Sequence, residues 1–280
     1  MGINTDNIET EEKLEKLTEF IKGFRNEGVI VAFSGGVDSS TLAALTARTI
    51  SRVIAVTANS PTTPMRELRE ARRIAKEIGI DHAFIEINEL EDENFVENTS
   101  ERCFFCKKNL LEALLKFGKG RGYSIVFEGT NASELKGHRP GYKAIKSFKN
   151  VYSPWAEFGI TKDEIREIAK EMGFSFYNKP SIACLASRIP FGISIDETRL
   201  KMVDEAENTV LEITGVTQVR VRNFDGTAVI EVEREGIKKF LNKTDEIAEK
   251  LKEIGFKRIL LDLEGYRTGK LSSLGNPLYP

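Results

Sequence analysis

Of the three cysteines in this 280-residue chain, Cys103 and Cys106 lie together in "RCFFCKK", while Cys184 stands far downstream in "SIACLASR". A CxxC with a distant third thiol suits several chemistries: metal ligation, a redox couple with a resolving thiol, or sulfur handling; three unrelated buried cysteines is the bland reading. Three thiolates do not complete a four-cysteine zinc site, and the two histidines, His82 and His138, show no ligand spacing with them. Zinc held by three cysteines and a histidine would need His138 to fold in. Three cysteines can instead hold three corners of a 4Fe-4S cluster, leaving the fourth iron open to a non-protein ligand such as sulfide. An odd, small number of cysteines makes no disulfide framework.

A second reactive stretch is "SGGVDSS", the run Ser34, Gly35, Gly36, Val37, Asp38, Ser39 and Ser40. It follows an apolar strand and opens a helix, so the glycines can take backbone angles closed to other residues while amide N–H groups point at an anion. Ser34, Ser39 and Ser40 add hydroxyls. No lysine stands at the helix start, so this is not the loop of phosphoryl-transfer NTPases. Asp38 among phosphate-binding amides is a candidate Mg²⁺ ligand, with hydrogen-bond support of the helix start as its alternative. "TANSP" ends the next strand and offers Ala58 and Ser60 to an adenosine, or shapes a turn. Gly129 in "EGTN" permits close approach of a nucleotide.

The elements that must position these residues alternate. Leu14, Leu17, Ile21 and Phe24 predict an amphipathic helix over 9–26, and "GVIVAF" (28–33) a strand buried on both faces. Strands follow at 52–58, 81–88 and 123–130, with helices at 65–79 and 104–117. Residues 89–102 and 131–160 look like connections. Thr161 and Glu164 stand at capping-box spacing before a helix over 161–173. After a loop at 178–192 comes helix 196–213, strand 217–222, a turn at "NFDG", strand 227–233, helix 236–255 and strand 257–263. The fold class is therefore α/β, a parallel sheet with helices on both faces, followed by a smaller C-terminal α+β domain; residues 1–190 and 191–280 are the expected domains.

Forty per cent hydrophobic and thirty per cent charged residues, with no long apolar run or leader pattern, predict a cytoplasmic protein with no membrane partner. A net charge of −2 leaves no global footprint for nucleic acid and favours a small anionic substrate.

"SGGVDSS" resembles the PP-loop of the ATP pyrophosphatase superfamily, which implies a Rossmann-like domain of the adenine nucleotide alpha hydrolase type, ATP, and cleavage between the α and β phosphates. A closer likeness runs through "FSGGVDSS", "GTNASELKGHRPGYKA", "SPWAEFGITKDEIREIAKEMG", "KPSIACLASRIPFG" and "LDLEGYRTG". In that order they resemble the ATP-dependent sulfur transferases of the LarE family. The resemblance implies adenylation of a carboxylate of pyridinium-3,5-biscarboxylic acid mononucleotide and its replacement by thiocarboxylate, on the route to the nickel-pincer nucleotide cofactor. Some members sacrifice the sulfur of the cysteine matching Cys184; those with a CxxC as well are similar to cluster enzymes. The chain looks like the second type, with Cys103, Cys106 and Cys184 as ligands and sulfide or another sulfur donor as partner. Arg139 and Arg188 lie in matching loops, where guanidinium forks suit phosphate or carboxylate; surface solvation is the alternative. Lys136, His138, Lys143 and Lys146 make one loop basic, and Trp155 is expected to pack. "NFDG" and Val229 depart from the family's His-Gly turn and following Arg, leaving Arg220, Arg222 and Glu231 as candidates or plain strand-face residues. Gly265, Tyr266 and Arg267 line a substrate or subunit surface of an expected homo-oligomer, or fold the chain back. The rival readings are a PP-loop tRNA thiolase with a 4Fe-4S cluster and an adenylating, amide-forming synthetase.

Overall fold

Successive residues of "VIVA" supply side chains to two different cores, Val29 and Val31 to one and Ile30 to the other, as a strand covered on both faces must. A computed structural model describes residues 5–136, 140–181 and 183–266. In chain order its elements are α1 (Thr5–Lys22), β1 (Val29–Ala32), α2 (Val37–Thr49), β2 (Val53–Asn59), α3 (Met65–Ile78), β3 (His82–Glu86), α4 (Glu93–Val96), α5 (Arg102–Gly118) and β4 (Ile125–Phe127). There follow α6 (Pro140–Ile145), β5 (Val151–Tyr152), α7 (Pro154–Glu157), α8 (Lys162–Glu171) and α9 (Glu197–Thr214). The last are β6 (Val219–Phe224), β7 (Thr227–Val232), α10 (Ile237–Leu241), α11 (Thr244–Ile254) and β8 (Arg258–Leu261).

The chain forms two compact units: residues 1–87 with 103–182, and residues 88–102 with 183–280. The first is an α/β unit with a five-stranded, all-parallel sheet in the order β3-β2-β1-β4-β5. Strand order reverses between β1 and β4, so the chain leaves these neighbours in opposite directions and opens a crevice at their carboxyl ends. One face of the sheet packs α1, α2, α3 and α8 through Leu17, Leu42, Ile74 and Ile165; the other packs Leu111 and Leu114 of α5. The expected capping box starts α8: Thr161 accepts from the Glu164 amide, and the Glu164 carboxylate accepts from the Thr161 amide at 2.7 Å.

Glu164 also receives Thr10 Oγ1 at 2.9 Å and Lys13 Nζ at 3.0 Å from α1. Burial alone pushes its carboxyl up, but the hydroxyl and amide of Thr161, with Lys13 and Thr10, outweigh that and bring it down to about 2. A depressed carboxyl contributes stability that is complete above its ordinary value of 4.5 and lost as pH falls through about 2. Glu164→Gln is therefore expected to lower the denaturation midpoint at pH 6, with the deficit shrinking as pH falls from 4.5 toward 2; paired urea titrations at each pH check it. A pH-independent deficit would assign the effect to packing.

The second unit has a three-stranded sheet, order β6-β7-β8, whose first pair is antiparallel and second parallel. Asp225 and Gly226, at φ 49° and 89°, make the two-residue turn of the β6–β7 hairpin, where both central residues must be left-handed. Ala206 and Val210 of α9 and Ile247 and Leu251 of α11 pack on Val221, Ile230 and Val232. Residues 88–102 belong to this unit through Asn98. It is fully buried at φ 55°, and its amide nitrogen donates to the carbonyls of Pro190 and Ile193 at 2.7 Å each. No helix among the described residues is long and apolar enough to cross a membrane.

Candidate functional site

At the end of β1 the loop turns on Gly35, whose φ is +69° and where a Cβ would stand 2.8 Å from the Ala71 backbone of α3. Only glycine meets both demands. Gly36, by contrast, has an ordinary φ of −77° and serves as the N-cap of α2 without a side-chain cap, so the first amides of α2 have no cap acceptor of that kind. An uncapped helix N-terminus with its positive dipole end is suited to an anion. The Ser34 and Ser39 hydroxyls are 3.1 Å apart and bond the Gly36 amide and carbonyl, stapling the loop. Ser40 is fully buried, with no hydrogen-bond partner for its hydroxyl among the described residues, and Val37 belongs to the core.

Asp38 does not cap the helix. Its carboxylate receives Lys162 Nζ from the start of α8 and Asn131 Nδ2 at 3.4 Å. Its carbonyl accepts from the indole of Trp155 at 3.0 Å. Trp155 is wholly buried, as packing requires. A Cβ on Gly129 would come within 3.1 Å of the Ser39 amide, so the close approach this glycine allows is that of the β4 loop to the start of α2. Ala58 is half-buried near the end of β2. The Ser60 hydroxyl is tied to Thr62 at 2.9 Å and accepts from the Thr62 amide at 3.2 Å, which shapes the turn.

Several charged residues join this crevice that sequence reasoning did not single out. Lys179 Nζ donates to the Gly35 carbonyl at 3.1 Å and to Glu67 at 2.9 Å. Glu128, the first residue after β4, is buried and accepts from Lys107 at 3.0 Å, Thr130 Oγ1 at 2.8 Å and Ser153 Oγ. Burial pushes its carboxyl up, but Lys107 and the two hydroxyls outweigh it and hold the group below the ordinary carboxylate range. Lys107 follows Cys106 directly, so the cysteine-bearing turn of α5 is anchored to the end of β4.

Cys103 and Cys106 are three apart on the first turn of α5, exposed and half-buried respectively, and none of the three cysteines is in a disulfide. Cys184 lies in the second unit, exposed, as the N-cap of a 3-10 turn over Leu185–Arg188. Its carbonyl accepts from the Ser187 amide at 3.0 Å, Ser187 Oγ at 2.7 Å and Arg188 Nη1 at 2.9 Å.

Arg188 is placed differently from the substrate contact expected of it. It is fully buried, with its fork on Glu207 (Nε–Oε1 2.7 Å, Nη2–Oε2 2.9 Å) and Nη1 on the Ala183 carbonyl at 2.5 Å. Arg222 makes a like fork on Glu231 and reaches the Ser187 carbonyl at 3.1 Å. Arg220 is buried beneath the Tyr266 ring, 5.1 Å from its centroid. Gly265 is buried as well, and Lys143 and Lys146 are exposed. Arg139, His138 and Arg267 lie outside the described residues, as does the side chain of Lys136.

Among the described residues no three His, Cys, Asp or Glu side chains stand together as a metal-binding group. A lone Asp38 beside an anion-ready helix start nevertheless fits Mg²⁺, which is commonly held by one or two carboxylates with substrate phosphates and water. Cys103 and Cys106, side by side on one helical turn, fit as a pair of thiolate ligands.

The parallel sheet and the glycine loop at its crevice define a PP-loop α/β domain of the NAD synthase-like class. The family model described as NAD synthase matches residues 9–117. An uncharacterised Synechocystis protein is 37% identical over 94% of this chain and 97% of its own, and one from Methanocaldococcus jannaschii 35% identical over 91% and 98%. The pyridinium-3,5-bisthiocarboxylic acid mononucleotide synthase of Lactiplantibacillus plantarum is 30% identical over 87% of this chain and 88% of its own. The chain belongs to the family of that synthase, the LarE family of PP-loop ATP-dependent enzymes.

Proposed function

We propose that the protein is an ATP-dependent sulfurtransferase that converts a carboxylate of pyridinium-3,5-biscarboxylic acid mononucleotide to a thiocarboxylate, in nickel-pincer nucleotide cofactor biosynthesis. The observation that carries this reading is the pairing, in a LarE-family chain, of an anion-ready PP-loop with an exposed Cys184 on a rigid turn. The substrate carboxylate attacks the α-phosphorus of ATP, pyrophosphate leaves, and sulfur then displaces AMP from the acyl-adenylate. The α2 amides and Gly35 are assigned to the phosphates, Asp38 to Mg²⁺, and Ala58, Ser60, Gly129 and Arg139 to nucleotide binding. The first unit carries the adenylation chemistry with Cys103 and Cys106, and Cys184 belongs to the second.

Cys103, Cys106 and Cys184 are assigned as the three ligands of a 4Fe-4S cluster. When bound, such a cluster would supply the sulfur as sulfide. Arg188 acts through Cys184, fixing the backbone from which its thiol projects. Anaerobic reconstitution with iron and sulfide, read by absorption and Mössbauer spectroscopy, is expected to give a 4Fe-4S signal that Cys103→Ala loses. A signal indifferent to that substitution, or none in the parent, would overturn the cluster assignment; retention of sulfur transfer after all three cysteines are replaced would favour an amide-forming synthetase.

A further inference from the structure

The chain leaves the first unit after residue 87, runs through the second as residues 88–102, and returns to the first at Cys103. A clasp near the end of that excursion holds it. Asn98, fully buried in the left-handed region at φ 55°, donates from its amide nitrogen to the carbonyls of Pro190 and Ile193. Its own backbone carbonyl accepts from the Gly192 amide at 3.2 Å, and the Val96 carbonyl accepts from the Ile195 amide at 3.0 Å. Arg102 is only 5% exposed; its Nη1 donates to Asn98 Oδ1 and, at 3.2 Å, to the Ile189 carbonyl, and its guanidinium lies 4.6 Å from the centroid of the Phe191 ring. Ile189 directly follows the turn that Cys184 begins, and Arg102 directly precedes Cys103.

Arg188 and Arg222 each lie on a glutamate, whereas the bonds of Arg102 go to an amide oxygen and a carbonyl, and its Nε has no hydrogen-bond partner among the described residues. A buried guanidinium without a carboxylate is costly, and stability alone would be better served by an apolar side chain in that place. We propose that Asn98 and Arg102 are positioning residues for the cysteines: their clasp ties the chain entering Cys103 to the chain leaving the Cys184 turn, so that three thiols converge on one 4Fe-4S cluster. This rests on the proposed cluster. Thiolates are the form in which cysteine ligates metal, so the ligands of a bound cluster would bring the negative charge that Arg102 lacks. Cys103 and Cys106 share one turn of α5 and need no such device. The distant third thiol does, because the effective concentration of one ligand beside another is set by the chain that links them, and a long unrestrained chain keeps it low.

The full chain without iron, beside its Arg102→Met and Arg102→Lys variants, would be treated anaerobically with dibromobimane, which bridges two thiols that come close together, and the bridged peptides measured by mass spectrometry. The parent is expected to give bridges from Cys184 to Cys103 or Cys106 as well as bridges within the CxxC. Arg102→Met should lower the Cys184 bridges about tenfold, as loss of a charged hydrogen bond would, and leave the Cys103 to Cys106 bridge in place. Arg102→Lys keeps a charged donor and should recover part of the loss. Reconstitution with iron and sulfide, read by Mössbauer spectroscopy, should follow the same order of parent, Lys and Met. A merely structural arginine would lower both kinds of bridge together; that result, Cys184 bridges at the parental yield in Arg102→Met, or none in the parent, overturns the proposal. Cys184 bridges that depend on Arg102, with no cluster signal in the parent, would remove the cluster reading and leave the clasp; a cluster signal undiminished in Arg102→Met defeats the clasp alone.

Discussion

Cys184→Ala is expected to abolish thiocarboxylate formation, by at least about a thousandfold as for loss of a group the chemistry cannot proceed without, while substrate-dependent pyrophosphate release persists. The two activities separate because they rest on different elements. In the proposed reaction adenylation rests on the loop between β1 and α2, whose internal bonds run among Ser34, Gly36 and Ser39. The hydrogen bonds that hold residue 184 in its turn reach its carbonyl, from Ser187 and Arg188, so alanine keeps them and loses only the exposed thiol. Mass spectrometry of the product, beside a pyrophosphate assay on the same samples, checks the split. Thiocarboxylate formed at the parental rate would remove Cys184 from the chemistry, whether as cluster ligand or as the sulfur itself. Loss of both activities would mean that the turn also supports nucleotide or acceptor binding.

How far sequence could reach depended on whether a signal was local. "GVIVAF" and "RVIAVTA" were legible because a doubly covered strand is apolar at every position, and Thr161 with Glu164 because a capping box is complete within four residues. Strand β5 was not legible: Val151 and Tyr152 are too few to show a period, and they lie in a Lys- and Gly-rich stretch. The helix expected over 236–255 is two, α10 and α11, because the apolar pattern runs on through a break at Asn242 and Lys243 that no proline or glycine marks. In the site, the glycine loop was legible as a motif, whereas its partners Asn131, Lys162 and Lys179 come from the segment after β4, the start of α8 and the stretch after α8, far from it in sequence. One cue was present: a lysine just inside a helix start opposes the dipole and calls for a nearby anion. Arg188 misled for the opposite reason, since its guanidinium fork fits a protein carboxylate as well as a substrate, and Glu207 lies a helix away in sequence.

Glu207→Ala is expected to destabilise the second unit by ~3–5 kcal/mol, the usual cost of stranding one member of a buried ion pair. Arg188 and Glu207 are both fully buried, and burial pulls the guanidinium toward losing its proton while Glu207 holds it above the ordinary arginine range. Removing the carboxylate leaves that charge on carbonyls and a hydroxyl, and also frees the Val221 amide, which donates to Glu207 at 3.2 Å. Replacing both partners with apolar residues, as Arg188→Met with Glu207→Leu, should recover most of the stability, because desolvating the pair is itself costly. It should not recover full sulfur transfer, since the Arg188 donors to the Ala183 and Cys184 carbonyls are gone and only those of Ser187 still hold the turn. Denaturation followed by far-ultraviolet dichroism, with hydrogen exchange at Val221, measures the first effect; Trp155 lies in the other unit and would miss it. Alkylation of Cys184 measures the second, and a faster or less uniform rate in the stable double variant would show a loosened turn. If that variant is stable, alkylates like the parent and transfers sulfur at full rate, the pair serves packing alone and Arg188 has no part in positioning the thiol.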